Sequence, residues 1–251
     1  MWETKVLKKA ALRNPIMIEG LPGIGNVGKI VMDFLIEKTK AKKIIEFFSQ
    51  YLPNSVFISQ NNLVELPKLE LFHKRIKNQD YLFLTGDVQP VTENASYTFC
   101  DLVLDYFKKQ KGAYIVTLGG IGLNEIPDHP VVYITGNSKK LVDEFKHLKV
   151  DPKIYGVVGP ILGISGLLLG VAQKKKVPAV SLLAETFGHP IYLGLKGAKA
   201  ILINLNTKFK FGIDLKDLEK EIKSMDSQLS KQEGATSKYL PKYQQDVNYI
   251  G

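Results

Sequence analysis

Apolar runs and amphipathic stretches alternate along most of this chain. Short apolar runs predict strands over residues 15–20, 43–49, 80–85, 113–118, 130–135, 153–158 and 177–183. Helical spacing of apolar positions predicts helices over 25–38, 92–111, 138–147, 163–174, 193–206 and 214–230. Strands that alternate with helices in this way point to βαβ units, hence to an α/β fold whose mostly parallel sheet is flanked by helices. Residues 51–77 read differently. Val56-Phe57-Ile58-Ser59, Leu63-Val64-Glu65-Leu66 and Leu69-Glu70-Leu71-Phe72 are short alternating segments separated by Asn and Pro, which predicts a small β insertion in the α/β frame.

The pattern changes near the C-terminus. Leu215, Leu218, Ile222 and Met225 carry the last helical stripe, and the following SQLSKQEGATSK holds too few apolar residues to pack a helix. The expectation is a single α/β domain over residues 1–225 and a linker with a C-terminal tail over 226–251. Apolar and aromatic groups return at Tyr239, Leu240 and Tyr243, then at Val247, Tyr249 and Ile250 before Gly251. A polar tether that ends in aromatic groups fits a docking element; packing on its own or a neighbouring subunit is the alternative.

Two glycine-rich passages follow strand-like runs. In the first, Ile16-Met17-Ile18-Glu19-Gly20 leads into Gly23, Gly25, Asn26 and Gly28. In the second, Ile154-Tyr155-Gly156-Val157-Val158 leads toward Gly163 and Gly166. Glycine at a strand-to-helix turn lets another group approach the backbone, and the helix N-terminus offers unpaired amides. Such a turn can cradle an anion or simply pack tightly.

Composition narrows the classes. The 251 residues are 45% hydrophobic and 24% charged, enough for a full core. No apolar run reaches a membrane span, the N-terminus lacks the apolar core of a secretory signal, and a lone cysteine leaves no disulfide framework, so a cytoplasmic setting is expected. Cys100 falls on an apolar helical stripe with Phe99, Val103, Leu104 and Phe107, a core position. The net charge of +9 comes almost wholly from scattered lysines; Arg13 and Arg75 are the only guanidinium groups. That distribution serves bidentate phosphate or base recognition poorly, so nucleic acid is not the expected partner.

The candidate catalytic motifs are weak. Gly23-x-Gly25-x-x-Gly28 has dinucleotide-fingerprint spacing, with Glu46 near the place of a ribose-binding acid, but Pro22 and Asn26 break the pattern and the chain next enters the β insertion. No GxxxxGK[ST] is present. Glu19, Asp87, Glu125 and Glu185 stand just past apolar strands and could converge in a crevice as acid, base or cation ligands; tying down turns is the simpler role. His73, His129, His147 and His189 lack zinc spacing, and Ser165 within Gly163-Ile-Ser-Gly166 lacks the GxSxG elbow. No cofactor and no metal is expected, and the alternative to a binding protein is a small-molecule or nucleotide-binding enzyme that uses the glycine-rich crevice.

Three stretches together resemble the archaeal branch of the proteasome assembly chaperone family, the family of the second subunit of the eukaryotic chaperone pair. They are Gly20-Leu-Pro-Gly-Ile-Gly-Asn-Val-Gly28, Thr117-Leu-Gly-Gly-Ile-Gly122, and residues 159–186 with Gly163-Ile-Ser-Gly-Leu-Leu-Leu169 and Leu182-Leu-Ala-Glu-Thr186. The resemblance covers roughly residues 5 to 225. It implies a phosphorylase/hydrolase-like α/β domain, assembly into homo-oligomers, and a non-enzymatic, ATP-independent chaperone that engages proteasome α-subunits or a related assembly. Some members of that family carry a C-terminal hydrophobic-Tyr-X tail that inserts between α-subunits. Here Val247, Tyr249, Ile250 and Gly251 would fill that role, with Tyr249 third from the end and Ile250 in the tyrosine position.

Overall fold

The computed structural model describes residues 1–236, with side chains described as far as residue 227. It contains two compact units, Met1–Ile213 and a second that begins at Asp214. Among the described residues of the first unit, eight strands form one mixed sheet. In chain order they are β1 (Glu3–Val6), β2 (Ile16–Glu19), β3 (Lys42–Phe48), β6 (Leu69–Ile76), β7 (Gln79–Gly86), β8 (Tyr114–Leu123), β9 (Val132–Gly136) and β10 (Ala179–Phe187). Across the sheet the order is β1-β3-β6-β7-β2-β8-β10-β9. A separate two-stranded hairpin pairs β4 (Phe57–Ile58) with β5 (Val64–Glu65).

The four central strands β7, β2, β8 and β10 run parallel, with Ile18 opposite Phe83 on one side and Val116 on the other. β2 is buried along its whole length, as a parallel strand covered on both faces must be. The flanks are antiparallel: β9 pairs with β10, and β1, β3, β6 and β7 pair side by side in that order. The β insertion is accordingly divided. Its first two segments make the hairpin, whereas Leu69–Ile76 joins the main sheet beside β7. A two-residue turn at Lys77 and Asn78, both with positive φ, makes that pairing local and favourable.

Helices α1 (Val27–Thr39), α2 (Glu93–Lys109), α4 (Gly163–Lys174) and α5 (Leu195–Phe209) cover the sheet, α2 packing with α4 and α1 with α5. Alternation along the strands sorts the core: Met17, Leu82, Leu84 and Ile115 join Phe99, Cys100, Val103, Leu104 and Phe107 of α2 and Ile164 and Leu168 of α4. Cys100 is thus a core residue, and burial pushes its thiol far above the usual range. α3 (Lys139–Asp143) is a single short helix capped by Ser138.

The helix predicted over 138–147 stops at Asp143, with turns beyond it, and two further predicted elements differ. Residues 153–158 form no strand; Tyr155 and Val157 are exposed and the segment makes only an isolated bridge between Tyr155 and Val158. The chain pairs with the edge of β9 only at Asp151 and leaves that edge before the apolar run begins. Beyond Asp214, α6 (Lys216–Thr236) extends through residues that the sequence suggests as a linker. Lys, Glu and Gln favour a helix without needing an apolar face. Val247, Tyr249, Ile250 and Gly251 lie outside the described residues.

Candidate functional site

The two glycine-rich passages meet at the C-terminal end of the parallel strands, where α/β proteins usually place a site. Here the protein's own atoms fill the space. Gly25 has φ +59°, and a Cβ there would lie 2.7 Å from Thr186 Oγ1 and 2.9 Å from its Cγ2. Asn26 follows with φ 51° and starts α1 without a side-chain cap. A Cβ at Gly28 would lie 2.7 Å from the Leu118 carbonyl, and the Gly25 carbonyl accepts the Gly194 amide at 2.7 Å. Gly23 is extended at φ −166° and has open space around it, with only Gln89 Nε2 at 3.9 Å. Close packing against β8, β10 and the start of α5 therefore accounts for Gly25 and Gly28.

Gln89, in the loop after β7, joins the two passages. Its Nε2 donates to the Pro22 carbonyl at 2.5 Å, and its Oε1 accepts the Ile164 amide at 2.9 Å. The first turn of α4 thus has an amide partner inside the protein, where an anion would otherwise bind. Gly163, at φ +75°, makes room for that side chain, since a Cβ would meet Gln89 Oε1 at 2.5 Å. A Cβ at Gly166 would collide with the Ile161 carbonyl. Sequence reasoning missed Gln89, because a glutamine in a loop carries no signal of what it bridges.

The four carboxylates do not converge. Asp87 Oδ2 accepts the Lys68 amide at 3.2 Å, and Glu185 accepts the Val131 amide at 2.9 Å and the Tyr133 hydroxyl at 3.3 Å. Glu125 is exposed. Asp87 and Glu185 follow the turn-tying role. Glu19 is different: it is fully buried at the end of β2, and burial raises its pKa to about 8 despite the opposing Ser165 hydroxyl and Leu21 backbone. Ser165 Oγ lies 3.1 Å from Glu19 Oε1 and 3.2 Å from the Leu118 carbonyl. One hydroxyl proton cannot serve both acceptors. A protonated Glu19 resolves this by donating to Ser165, which then donates to Leu118. Ser165 itself is buried, so the pair ties α4 to β2 and β8 beneath the loops.

A second buried carboxylate, Asp80 at the start of β7, holds His73 Nε2 at 2.8 Å, Arg75 Nη2 at 2.6 Å and the Arg13 amide at 2.8 Å. Burial pushes this carboxyl up, but those three partners outweigh it and hold it below the usual range. It lies at the opposite end of the sheet from the glycine loops. Among the described residues no helix is long and apolar enough to cross a membrane.

Comparison with known proteins matches this architecture. Crystal structures of two Pyrococcus furiosus proteins are similar to the chain. PbaB, an archaeal proteasome activator, has a TM-score of 0.85 at 31% identity over 92% of this chain and 98% of that one. PbaA, an archaeal homolog of proteasome-assembly chaperone, shares the fold with a TM-score of 0.76 at 24% identity over 94% of this chain and 93% of that one. An uncharacterized protein of Methanocaldococcus jannaschii is 27% identical across 98% of this chain and 96% of its own length. Residues 17–233 match the PAC2 family, and this chain is a member of that family.

Proposed function

We propose that this chain is a non-enzymatic proteasome-assembly or proteasome-activating factor that acts without ATP, as a homo-oligomer, on proteasome α-subunits. The observation that carries the reading is the likeness to PbaB, at 31% identity over nearly all of both chains. The filled glycine loops support it, because Thr186, Gln89 and the Gly194 amide occupy the places a phosphate-binding turn leaves open. In this reading the glycine loops are packing devices and the contact with the partner is made elsewhere.

Val247, Tyr249, Ile250 and Gly251 are the proposed docking residues. A tethered aromatic and an aliphatic side chain can anchor in an apolar pocket, and the tether raises their local concentration at a ring of repeated pockets. Size-exclusion chromatography with light scattering tests this, using the full chain and residues 1–238, each with and without archaeal proteasome α-subunits. The expected result is a nucleotide-independent complex formed by the full chain alone. Failure of both forms to bind α-subunits would overturn the reading.

A further inference from the structure

The molecule is polar along its strand axis. Among the described residues nineteen large apolar side chains are exposed, and fifteen of them lie on the loops and the β4–β5 hairpin at the C-terminal end of the parallel strands. Ile58, Val64, Leu162 and Ile191 are 74%, 69%, 69% and 84% exposed. The segments that build this end are residues 20–26, 49–66, 87–92, 124–131, 154–162 and 188–194. They contain none of the chain's 34 lysines and arginines. The connections at the opposite end carry Lys8, Lys9, Arg13, Lys40, Lys77 and Lys111, all exposed.

Hydrogen bonds tie several of these loops to one another. The Val91 amide donates to the Tyr51 carbonyl at 3.2 Å, Gln89 bridges Pro22 and Ile164, and the Gly188 amide donates to the Leu123 carbonyl at 2.8 Å. Summed over these segments, the fifteen side chains expose on the order of 1,000 Å² or more of surface. That matches the roughly 800 Å² that each partner gives to a standard interface.

We propose that a second copy of this chain docks on this face, the two meeting end to end about a two-fold axis. Charge favours this occupant and this orientation. Two molecules of net charge +9 repel, and this arrangement sets the lysine-bearing ends farthest apart. A head-to-tail contact would instead bury lysines against an apolar surface. Three of the four acids of this end are already engaged within one copy: Glu65 by Lys68 at 2.8 Å, Asp87 by the Lys68 amide, and Asp128 by Lys196 at 3.5 Å. Glu65 and Asp128 are thereby charge-balanced, which leaves Asp87 and Glu125 as the acids that each copy brings unbalanced to the contact.

This inference rests on the homo-oligomer part of the proposed function and is independent of the proteasome part. The test is sedimentation equilibrium with light scattering on the full chain, compared with Ile58→Asp, Ile191→Asp and, at the lysine end, Lys9→Glu. The expected result is an assembly of two chains or an even multiple. Each Asp variant should weaken the end-to-end step at least tenfold with unchanged circular dichroism, while Lys9→Glu leaves it intact. An oligomer that survives both Asp variants overturns this face and leaves the homo-oligomer reading standing. A single-chain mass at every concentration overturns both.

Discussion

Replacing Glu19 by Gln should stabilise the protein increasingly as the pH rises. Glutamine keeps the shape and can still donate to Ser165, whose Oγ lies 3.1 Å from Glu19 Oε1, but it cannot ionise. Burial raises the Glu19 pKa from 4.5 to about 8. Because the folded value lies above the unfolded one, the stability linked to the neutral acid is fully present below about pH 4.5. It is then lost as the pH rises toward about 8 and stays lost above it. The slope is about 1.4 kcal/mol per pH unit, so the full difference approaches roughly 5 kcal/mol, with about 3 kcal/mol already reached near pH 7. Urea unfolding of both proteins at unit steps from about pH 5 to about pH 9 gives the difference directly. The variant should gain on the wild type up to about pH 8 and run parallel to it above. A constant gap, or one that narrows with rising pH, would refute a buried neutral acid.

The glycine loops, the bridge between them and the second buried acid give three further tests. Gly25→Ala combines a positive φ with a contact on Thr186 and should cost about 2–4 kcal/mol, whereas Gly23→Ala should cost less than about 1 kcal/mol; equal losses in thermal or urea unfolding would contradict the packing account. Gln89→Leu orphans the Pro22 carbonyl and the Ile164 amide, so it should cost about 1–2 kcal/mol and speed hydrogen exchange at Ile164, an effect that unchanged protection would rule out. Asp80→Asn should cost about 2–3 kcal/mol near neutral pH, and since the folded carboxyl lies below its usual range, that penalty should shrink as acid protonates Asp80 in the wild type. A penalty independent of pH would exclude the ionised cluster as its source.

Much of the frame is legible in the sequence. The central strands are continuous apolar runs, and the stripe of Phe99, Cys100, Val103, Leu104 and Phe107 predicts the buried face of α2. What periodicity misses has physical causes. All four residues of β1 are exposed, so an edge strand held to β3 by backbone bonds and one long Lys5–Glu46 ion pair leaves no apolar pattern. Ile154-Tyr155-Gly156-Val157-Val158 has strand composition, but the chain touches the β9 edge only at Asp151 and the run itself makes no ladder. The glycine spacing locates the loops, but whether a loop is empty or filled depends on Thr186, Gln89 and Gly194, which lie far away in the chain. Glu19 looks like its neighbours at strand ends; only its complete burial sets it apart.

The function proposed for this PAC2-family chain is binding of proteasome subunits through its C-terminal residues. Its most direct test is titration of a purified archaeal proteasome with the full chain in the absence of nucleotide, followed by calorimetry or surface plasmon resonance. A Tyr249→Ala, Ile250→Ala double variant serves as the comparison. The account predicts saturable binding by the full chain and a loss of at least tenfold in affinity in the variant, since a buried aromatic anchor carries much of such an interface. Absence of binding by the full chain would contradict the account, and equal binding by both proteins would contradict its assignment of the tail.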